Sequence, residues 1–280
     1  MSRFVRLIGS VSLACALFAG AARGEEPPAA LAEERAPDPP AMTEPSALAD
    51  AYFDEAERFD ALLTYEVSRG PASALFTIAR RWREGRAELL FDIRKPVSFE
   101  KWAALLRQNR GGSDDLFVYI DKTGSLLDRS VRRLSASQLE RHAFFSLVAL
   151  GDYRPLARGE VTYEMGPDER LNSVPCHVVI ARPSRRYIGY DHLELVFDAS
   201  SKLLLETRVF ASGREVRRLS ASPSDFEDFG GRRLPKKRIA RGWADDGETE
   251  IVLVRAVETA DLPDELFSHL NLRVQHFPEF

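Results

Sequence analysis

From Val174 onward, six β-prone runs follow one another in quick succession, and this spacing constrains the fold more than any other feature of the chain. The runs are Val174 to Ala181, His192 to Asp198, Lys202 to Ala211, Glu215 to Ala221, Leu234 to Arg241 and Glu250 to Val257. Turn residues separate them: Pro183-Ser184, Asp198-Ala199-Ser200-Ser201, Ser212-Gly213, Gly230-Gly231 and Asp245-Asp246-Gly247. Such short connections join antiparallel neighbours, because a parallel pair needs a crossover of about a dozen residues or more. No strand–helix–strand alternation points to a parallel sheet. The expectation is one strongly curved antiparallel sheet.

The first half adds strands and a few helices. Ala74 to Arg83 alternates, with Phe76, Ile78 and Trp82 on one side, and Arg86 to Arg94 alternates again through Ala87, Leu89, Phe91 and Ile93. Glu84-Gly85 reads as the tight turn between them. Trp102 to Leu106 and Leu116 to Ile120 flank the turn Gly111-Gly112-Ser113-Asp114-Asp115 and form a second hairpin. Leu48, Ala51, Tyr52, Ala56 and Phe59 recur at helical spacing and predict an amphipathic helix that must lie on something apolar. Ser137 with Glu140 has the form of a capping box for a second helix, carrying Leu139, Phe144, Leu147 and Val148 until Gly151 ends it. Leu262 to Phe267 predicts a short helical turn docked by Leu270 and Leu272.

Several strands are apolar on both faces: Leu203-Leu204-Leu205, Val178-Val179-Ile180 and Ile251-Val252-Leu253-Val254. An antiparallel sheet with one wetted face would alternate. Both faces therefore need cover, and two helices are few for the area. Part of the apolar lining is expected to face a cavity, with Phe76, Trp82, Phe91, Phe117, Tyr119 and Phe197 as candidates. The same residues would equally serve as ordinary core.

The N-terminus carries a basic start at Arg3 and Arg6, an uncharged run from Leu7 to Ala22, and small residues before Glu25. This is the layout of a secretory signal, with Ala22-Arg23-Gly24 and Ala19-Gly20-Ala21 as alternative cleavage sites. A membrane span needs about 20 apolar residues, so a retained anchor is the lesser reading. Ser12-Leu13-Ala14 before Cys15 lacks the leucine expected three places upstream of a lipidated cysteine, so lipid attachment there is not expected. Residues 1–24 are read as the signal, the Pro, Ala and Glu-rich stretch 25–45 as a disordered tether, and 46–280 as the folded domain. Of the two cysteines Cys15 leaves with the signal, and Cys176 among β-branched neighbours is expected to be a buried, inert thiol. Burial, and not a disulfide, must hold this exported fold.

The residues argue against a catalytic centre. Neither His142, His177, His192, His269 nor His276 stands at metal-ligand spacing with a partner, although His177 and His192 could meet across a hairpin. There is no Gly-x-Ser-x-Gly elbow and no phosphate-cradling loop before a helix. Asp114-Asp115 and Asp245-Asp246 sit in turns. No metal or other cofactor is expected. A net charge of −4 is small for this length and argues neither for nucleic acid nor for a polyanionic partner, and no nucleic acid is expected. The sharpest charge feature is the basic run of Arg232, Arg233, Lys236, Lys237 and Arg238, which reads as a contact for anionic headgroups or a partner, or as a solvated strand flank that discourages edge pairing.

Several segments together carry a family likeness. Tyr119 closing a strand, Val131-Arg132-Arg133-Leu134, Leu150-Gly151-Asp152-Tyr153 and Pro175-Cys176-His177-Val178-Val179 are the first of them. Leu195-Val196-Phe197-Asp198 through Lys202-Leu203-Leu204-Leu205-Glu206, Phe229-Gly230-Gly231-Arg232-Arg233-Leu234-Pro235-Lys236 and Asp261-Leu262-Pro263-Asp264-Glu265-Leu266-Phe267 follow. The pattern, from about Ala51 to Val274, resembles the LolA-like outer-membrane lipoprotein-sorting proteins. That resemblance implies a mainly β fold with a few helices, an unclosed antiparallel β-barrel or half-pipe whose helices cover the concave face. It further implies a periplasmic carrier that shields acyl chains of a lipoprotein or lipid and passes them to an inner-membrane transporter or outer-membrane acceptor. The chain departs from the family in its Pro-rich tether and its expected Ser137 to Leu150 helix, and the family's lid-contacting arginine maps to no one residue. A non-catalytic periplasmic scaffold, associated with an envelope transporter and binding protein through a sheet edge or the basic run, is the alternative. Either way a monomer is expected. Deleting residues 25–45 from the mature protein should leave the thermal melting midpoint unchanged. A cooperative loss of fold in that truncation would show the tether to be docked.

Overall fold

The computed structural model describes residues 44–95, 102–109, 113–121, 129–140, 143, 146–184, 189–243, 245–260 and 262–273. The expected signal, Cys15 and all but the end of the expected tether lie outside the described residues. The described chain opens with helix α1 (Pro45–Ala56), where Pro45 sits in the first turn, the position at which a missing N–H costs nothing. Then come β1 (Ala61–Arg69), β2 (Ala72–Arg83), β3 (Arg86–Lys95), β4 (Ala103–Arg107), β5 (Asp115–Asp121) and β6 (Arg129–Leu134). The second half holds β7 (Val161–Met165), β8 (Glu169–Leu171), β9 (Val174–Pro183), β10 (His192–Asp198), β11 (Leu204–Ala211) and β12 (Arg214–Ser220). It closes with β13 (Phe226–Phe229), β14 (Arg232–Pro235), β15 (Lys237–Gly242) and β16 (Asp245–Glu258).

Fourteen of these strands form one sheet in the order β6-β5-β4-β3-β2-β1-β16-β15-β12-β11-β10-β9-β7, with β8 on β9. All its pairings are antiparallel, and the end strands β6 and β7 do not pair, so the barrel is unclosed. The hairpin logic holds locally. Glu84 and Gly85 both take positive φ, 50° and 76°, as the two-residue turn matched to strand twist requires. The sequence pattern leaves β6, β7, β8 and β13 unmarked, and β1 as well, because Ala61-Leu62-Leu63-Thr64-Tyr65 runs without alternation. Strand β1 is central, pairing β2 on one side and β16 on the other. Register slips at Thr64/Tyr65, Leu75/Phe76, Val196/Phe197 and Val209/Phe210 each insert a bulge, which bends the strand and curls the sheet.

Both faces of the β1–β5 half are covered, as two-faced apolar strands demand. On the outer face the C-terminal segment lays Leu266, Phe267 and Leu272 on Leu90, Leu105 and Tyr119, all buried. Leu272 docks as expected, but Leu270 is 70% exposed, since the one turn that buries Leu272 points Leu270 away. On the inner face α1 buries Leu48, Ala49, Tyr52, Phe53 and Ala56. The stripe is rotated from the expected one, with Phe53 inside and Ala51 exposed, because the bulky ring takes the contact. Arg80, buried in β2, donates to the carbonyls of Ala56 (3.3 Å) and Phe59 (3.2 Å) and so satisfies the end of α1. Val254 is 55% exposed, so the Ile251–Val254 run is one-sided after all: Ile251 and Leu253 face in.

The second expected helix does not form among the described residues. Only single 3-10 turns occur, Ala136–Glu140 and Leu150–Tyr153. Between them the backbone bonds go elsewhere: the Leu147 N–H donates to Thr249 Oγ1 (2.9 Å) and Ala143 N–H to the Val148 carbonyl (2.7 Å). Glu140, expected to close a capping box, instead accepts from Arg217 (3.0 Å). The connection between β6 and β7 is thus a strap on the inner face, anchored by buried Leu139, Leu147, Val148, Tyr153 and Leu156. Beneath it Phe91 is fully buried against Phe76 (6.5 Å) and Tyr153 (6.1 Å between ring centroids). Phe91→Ala should therefore cost about 3–5 kcal/mol in urea denaturation. Phe117→Ala, at a half-buried ring stacked on His269, should cost clearly less.

Candidate functional site

Three buried arginines tie the strap down. Arg217 of β12 donates to Asp152 (Nε 3.0 Å, Nη2 2.6 Å) and to Glu140, from either end of the strap. Arg154 of the strap donates to Asp114 before β5 (2.5 Å) and to Glu160 (2.9 Å). Burial disfavours both guanidinium charges, yet the paired carboxylates outweigh it and hold both pKa values above the ordinary arginine range. Arg58, just after α1, donates twice to the Leu156 carbonyl (3.0 and 2.7 Å) and once each to Asp50 and Asp54 (2.7 and 2.9 Å). Gln108 adds a bond to the Pro155 carbonyl (2.6 Å). These polar contacts hold the strap across a largely apolar face, alongside its buried apolar anchors.

Under the strap lies a cavity with about 100 Å³ of room for the centres of water-sized molecules. Its walls come from α1 through Tyr52 and Phe53 and from the β10–β12 region through Leu193, Leu195, Val209 and Leu219. A smaller cavity of about 30 Å³ shares Tyr52, Glu57, Asp152, Pro235 and Arg238 with the larger one. Arg238 stands at the junction, its guanidinium 5.9 Å from the Tyr153 ring centroid. Tyr65, Tyr153, Tyr52 and Glu57 surround it and outweigh its burial, so its pKa lies above the ordinary value. Burial pushes the Glu57 carboxyl up, against the opposing pull of Arg80, Arg238 and Arg58.

The aromatic candidates divide. Phe76, Phe91 and Phe197 are fully buried on the inner face, and Phe197 backs the cavity wall through Tyr52 (5.8 Å). Trp82 packs at the rim beside Arg58 (5.8 Å). Phe117 and Tyr119 belong to the outer-face cluster, because a strand's alternation places them opposite Leu116 and Val118. None of the six is among the residues that line either cavity. The basic run divides too. Arg232 pairs with Glu258 (2.9 Å) and packs on Phe59, Lys236 pairs with Glu227 (2.6 Å), Lys237 pairs with Glu250, and Arg233 is exposed. Only Arg238 turns inward. His177 and His192 do not meet: one sits 3.1 Å from Asp168, the other stacks on Phe210. Cys176 is a free, buried thiol whose pKa burial raises. Among the described residues no group of three His, Cys, Asp or Glu side chains is placed to hold a metal.

The lining residues Leu195, Leu205, Val209 and Leu219 were visible only as apolar strand positions, indistinguishable in sequence from core. A sharper signal was available in Arg217 and Arg238, each a charged residue on the face that its strand turns to the core, alongside Leu219 and Ala240. A charge at an inward position is costly unless paired or used.

Residues 85–274 match the model of a protein family described as "Uncharacterized protein". The chain belongs to that family. Solved structures with the same fold include an outer-membrane lipoprotein-sorting protein domain from Vibrio parahaemolyticus, 16% identical with a TM-score of 0.70, covering 81% of this chain and 97% of that one. A DUF1329 family protein from Desulfovibrio piger is 18% identical with a TM-score of 0.70, over 82% and 100% of the two chains. A LolA superfamily protein from Nitrosomonas europaea is 16% identical with a TM-score of 0.64, over 81% and 98%. The fold is LolA-like. No curated protein matches the sequence.

In this LolA-like fold the strap's ion pairs fasten the cover beside its buried apolar anchors. Arg217→Ala would leave Asp152 and Glu140 buried without their cation, an imbalance that typically costs about 3–5 kcal/mol. Hydrogen exchange should show the loss first at the Leu147 amide and its neighbours. Protection there equal to that of the parent protein would show the strap to be held by its apolar anchors alone.

Proposed function

We propose that this protein is a periplasmic carrier, which shields acyl chains of a lipoprotein or lipid in the cavity under the strap and hands them to an acceptor. The observation that carries the reading is a cavity with apolar strand walls under a strap fastened partly by ion pairs, in a LolA-like half-pipe. Well-packed interiors contain few voids larger than a water, so a space of this size sets the site apart from ordinary core. Each shielded methylene would contribute about 0.8 kcal/mol, enough for one chain to set the affinity. Holding the cover by ion pairs suits a carrier, because a partner's charges can compete for Arg154 and Arg217 where they could not compete for an apolar seam. A membrane transporter or outer-membrane acceptor would open the strap in this way. The reading places the mature protein in the periplasm, released from a signal within residues 1–24. In keeping with it, no helix among the described residues is long and apolar enough to cross a membrane. No catalytic step is part of it.

Native mass spectrometry of protein purified from the periplasm tests the reading, with co-purifying lipid as the expected result. Thr207 of β11 faces the cavity and is half-buried, so Thr207→Trp should fill the space, melt within a few degrees of the parent, and carry no lipid. In a packed core the same substitution would cost about 1–3 kcal/mol or more. A clean apo mass for the parent, with Thr207→Trp strongly destabilised, would sink the carrier and leave a scaffold.

A further inference from the structure

The smaller cavity is lined by polar side chains that bond to nothing around them. Tyr153 is buried, and its hydroxyl makes no hydrogen bond with a described residue. The hydroxyls of Tyr52 and Tyr65, both buried, make none either. At the junction with the larger cavity the Glu57 carboxyl and the Arg238 guanidinium are likewise without a hydrogen bond to a described residue. Four separate parts of the chain set these groups around one space: α1 and its end with Tyr52 and Glu57, β1 with Tyr65, the strap with Tyr153, and β15 with Arg238. The rings of Tyr65 and Tyr153 stand 5.1 Å apart, and the Arg238 guanidinium is 5.9 Å from the Tyr153 ring centroid. Buried polar groups in folded proteins are nearly always hydrogen-bonded, so a set of unpaired ones around one space calls for a polar occupant.

The charges say what kind of polar occupant fits. Two carboxylates, Glu57 and Asp152, and two guanidinium groups, Arg80 and Arg238, line the smaller cavity, so it carries no net charge. In the larger cavity Arg154 and Arg217 each face two carboxylates already. A full charge of either sign would upset the first balance, and an anion would also meet the surplus of carboxylates in the second. A neutral group that both donates and accepts hydrogen bonds can meet a carboxyl, a guanidinium and phenol hydroxyls together, and hydroxyls have that property. The space, about 30 Å³, takes a small group of about the size of two or three waters. The apolar wall of Leu193, Leu195, Val209 and Leu219 lies in the adjoining cavity, so one molecule can satisfy both.

Resting on the carrier reading, we propose that the smaller cavity is a headgroup site for a neutral hydroxylated lipid of the monoacylglycerol kind, its free hydroxyls on Tyr153, Glu57 and Arg238 and its acyl chain along the β10–β12 wall. Arg238 donates to a hydroxyl oxygen, Glu57 accepts from a hydroxyl, and the Tyr153 hydroxyl does either.

The test is a calorimetric titration of delipidated full-length mature protein with 1-decanoylglycerol, methyl decanoate, decanoate and decylamine, repeated on Tyr153→Phe. The probes share a chain and differ at the head. The glycerol ester should bind about tenfold or more tighter than the methyl ester, since each net hydrogen bond is worth about fivefold in affinity. Both charged probes should bind more weakly than the glycerol ester. Tyr153→Phe removes only a hydroxyl that has no partner in the protein, so the variant should melt at or above the parent's midpoint. Its preference for the glycerol ester over the methyl ester should fall about three- to tenfold. Equal binding of the two esters by the parent would overturn the headgroup site, reduce the space to one for structural water only, and leave the carrier standing. Tighter binding of decanoate or decylamine than of the glycerol ester would overturn the neutral assignment. A preference undiminished in Tyr153→Phe would place the hydroxyls elsewhere and overturn the site as well. Binding of none of the four probes would remove the carrier reading too. Because the two esters are compared on the parent, the question is decided even if Tyr153→Phe fails to fold.

Discussion

Everything in this structure depends on one ladder, the antiparallel pairing of β1 with β16. It joins Ala61 to Glu258 and Ser68 to Glu250, across most of the chain's length. Without it there would be two separate meanders, β1 to β6 and β7 to β16, each with an unpaired edge. With it the two become one sheet whose inner face is continuous from Phe76 to Leu195. The bulge at Thr64/Tyr65 sits in this seam and adds curvature where the halves meet. Closing a contact of such sequence separation carries a loop-entropy cost, which the apolar side chains of both strands must offset by burial.

Curvature then creates the problem that the strap solves. A curled sheet has a concave apolar face that α1 alone cannot cover. The chain between β6 and β7 crosses that face, and its backbone finds partners through Thr249, Gln108 and Arg58 in place of a helix of its own. Its side chains divide the work. Leu147 and Val148 bury themselves on the inner face, whereas Asp152, Arg154 and Glu140 enter ion pairs with distant strands. A buried pair contributes little net stability compared with an apolar contact, but it fixes one geometry and can be exchanged for another partner. That combination fits a cover meant to close in one place and to open.

How much was legible depended on whether a feature was local. The hairpin at Glu84-Gly85, the strand pairs of the second half and the need for cover on both faces all follow from turn chemistry and alternation within a few residues. Strand β1 escaped because its outer positions are covered as well as its inner ones, so no period of two survives in Ala61 to Tyr65. The Ser137 to Gly151 stretch has the pattern of a helix, and its described residues do not form one. Glu140 and Asp152 answer to Arg217, which stands 77 and 65 residues away, and no local rule anticipates that competition.

The sequence alone determined the class of the fold: closely spaced antiparallel strands, a leading amphipathic helix, and apolar surface in excess of what the helices can hide. Those properties are written in neighbours two to four residues apart, where sterics and turn geometry act directly. Which side chains face the cavity was decided only by the tertiary structure. Phe91 and Phe117 are both aromatic residues on predicted strands, yet one lies inside and the other outside. Alternation assigns residues to two faces without saying which face is concave. The basic run shows the same limit, since Arg232 to Arg238 is continuous as text but spans two strands that belong to separate sheets. Strand pairing and register, set by contacts across the whole chain, left the others of that run at the surface and turned Arg238 alone into the cavity.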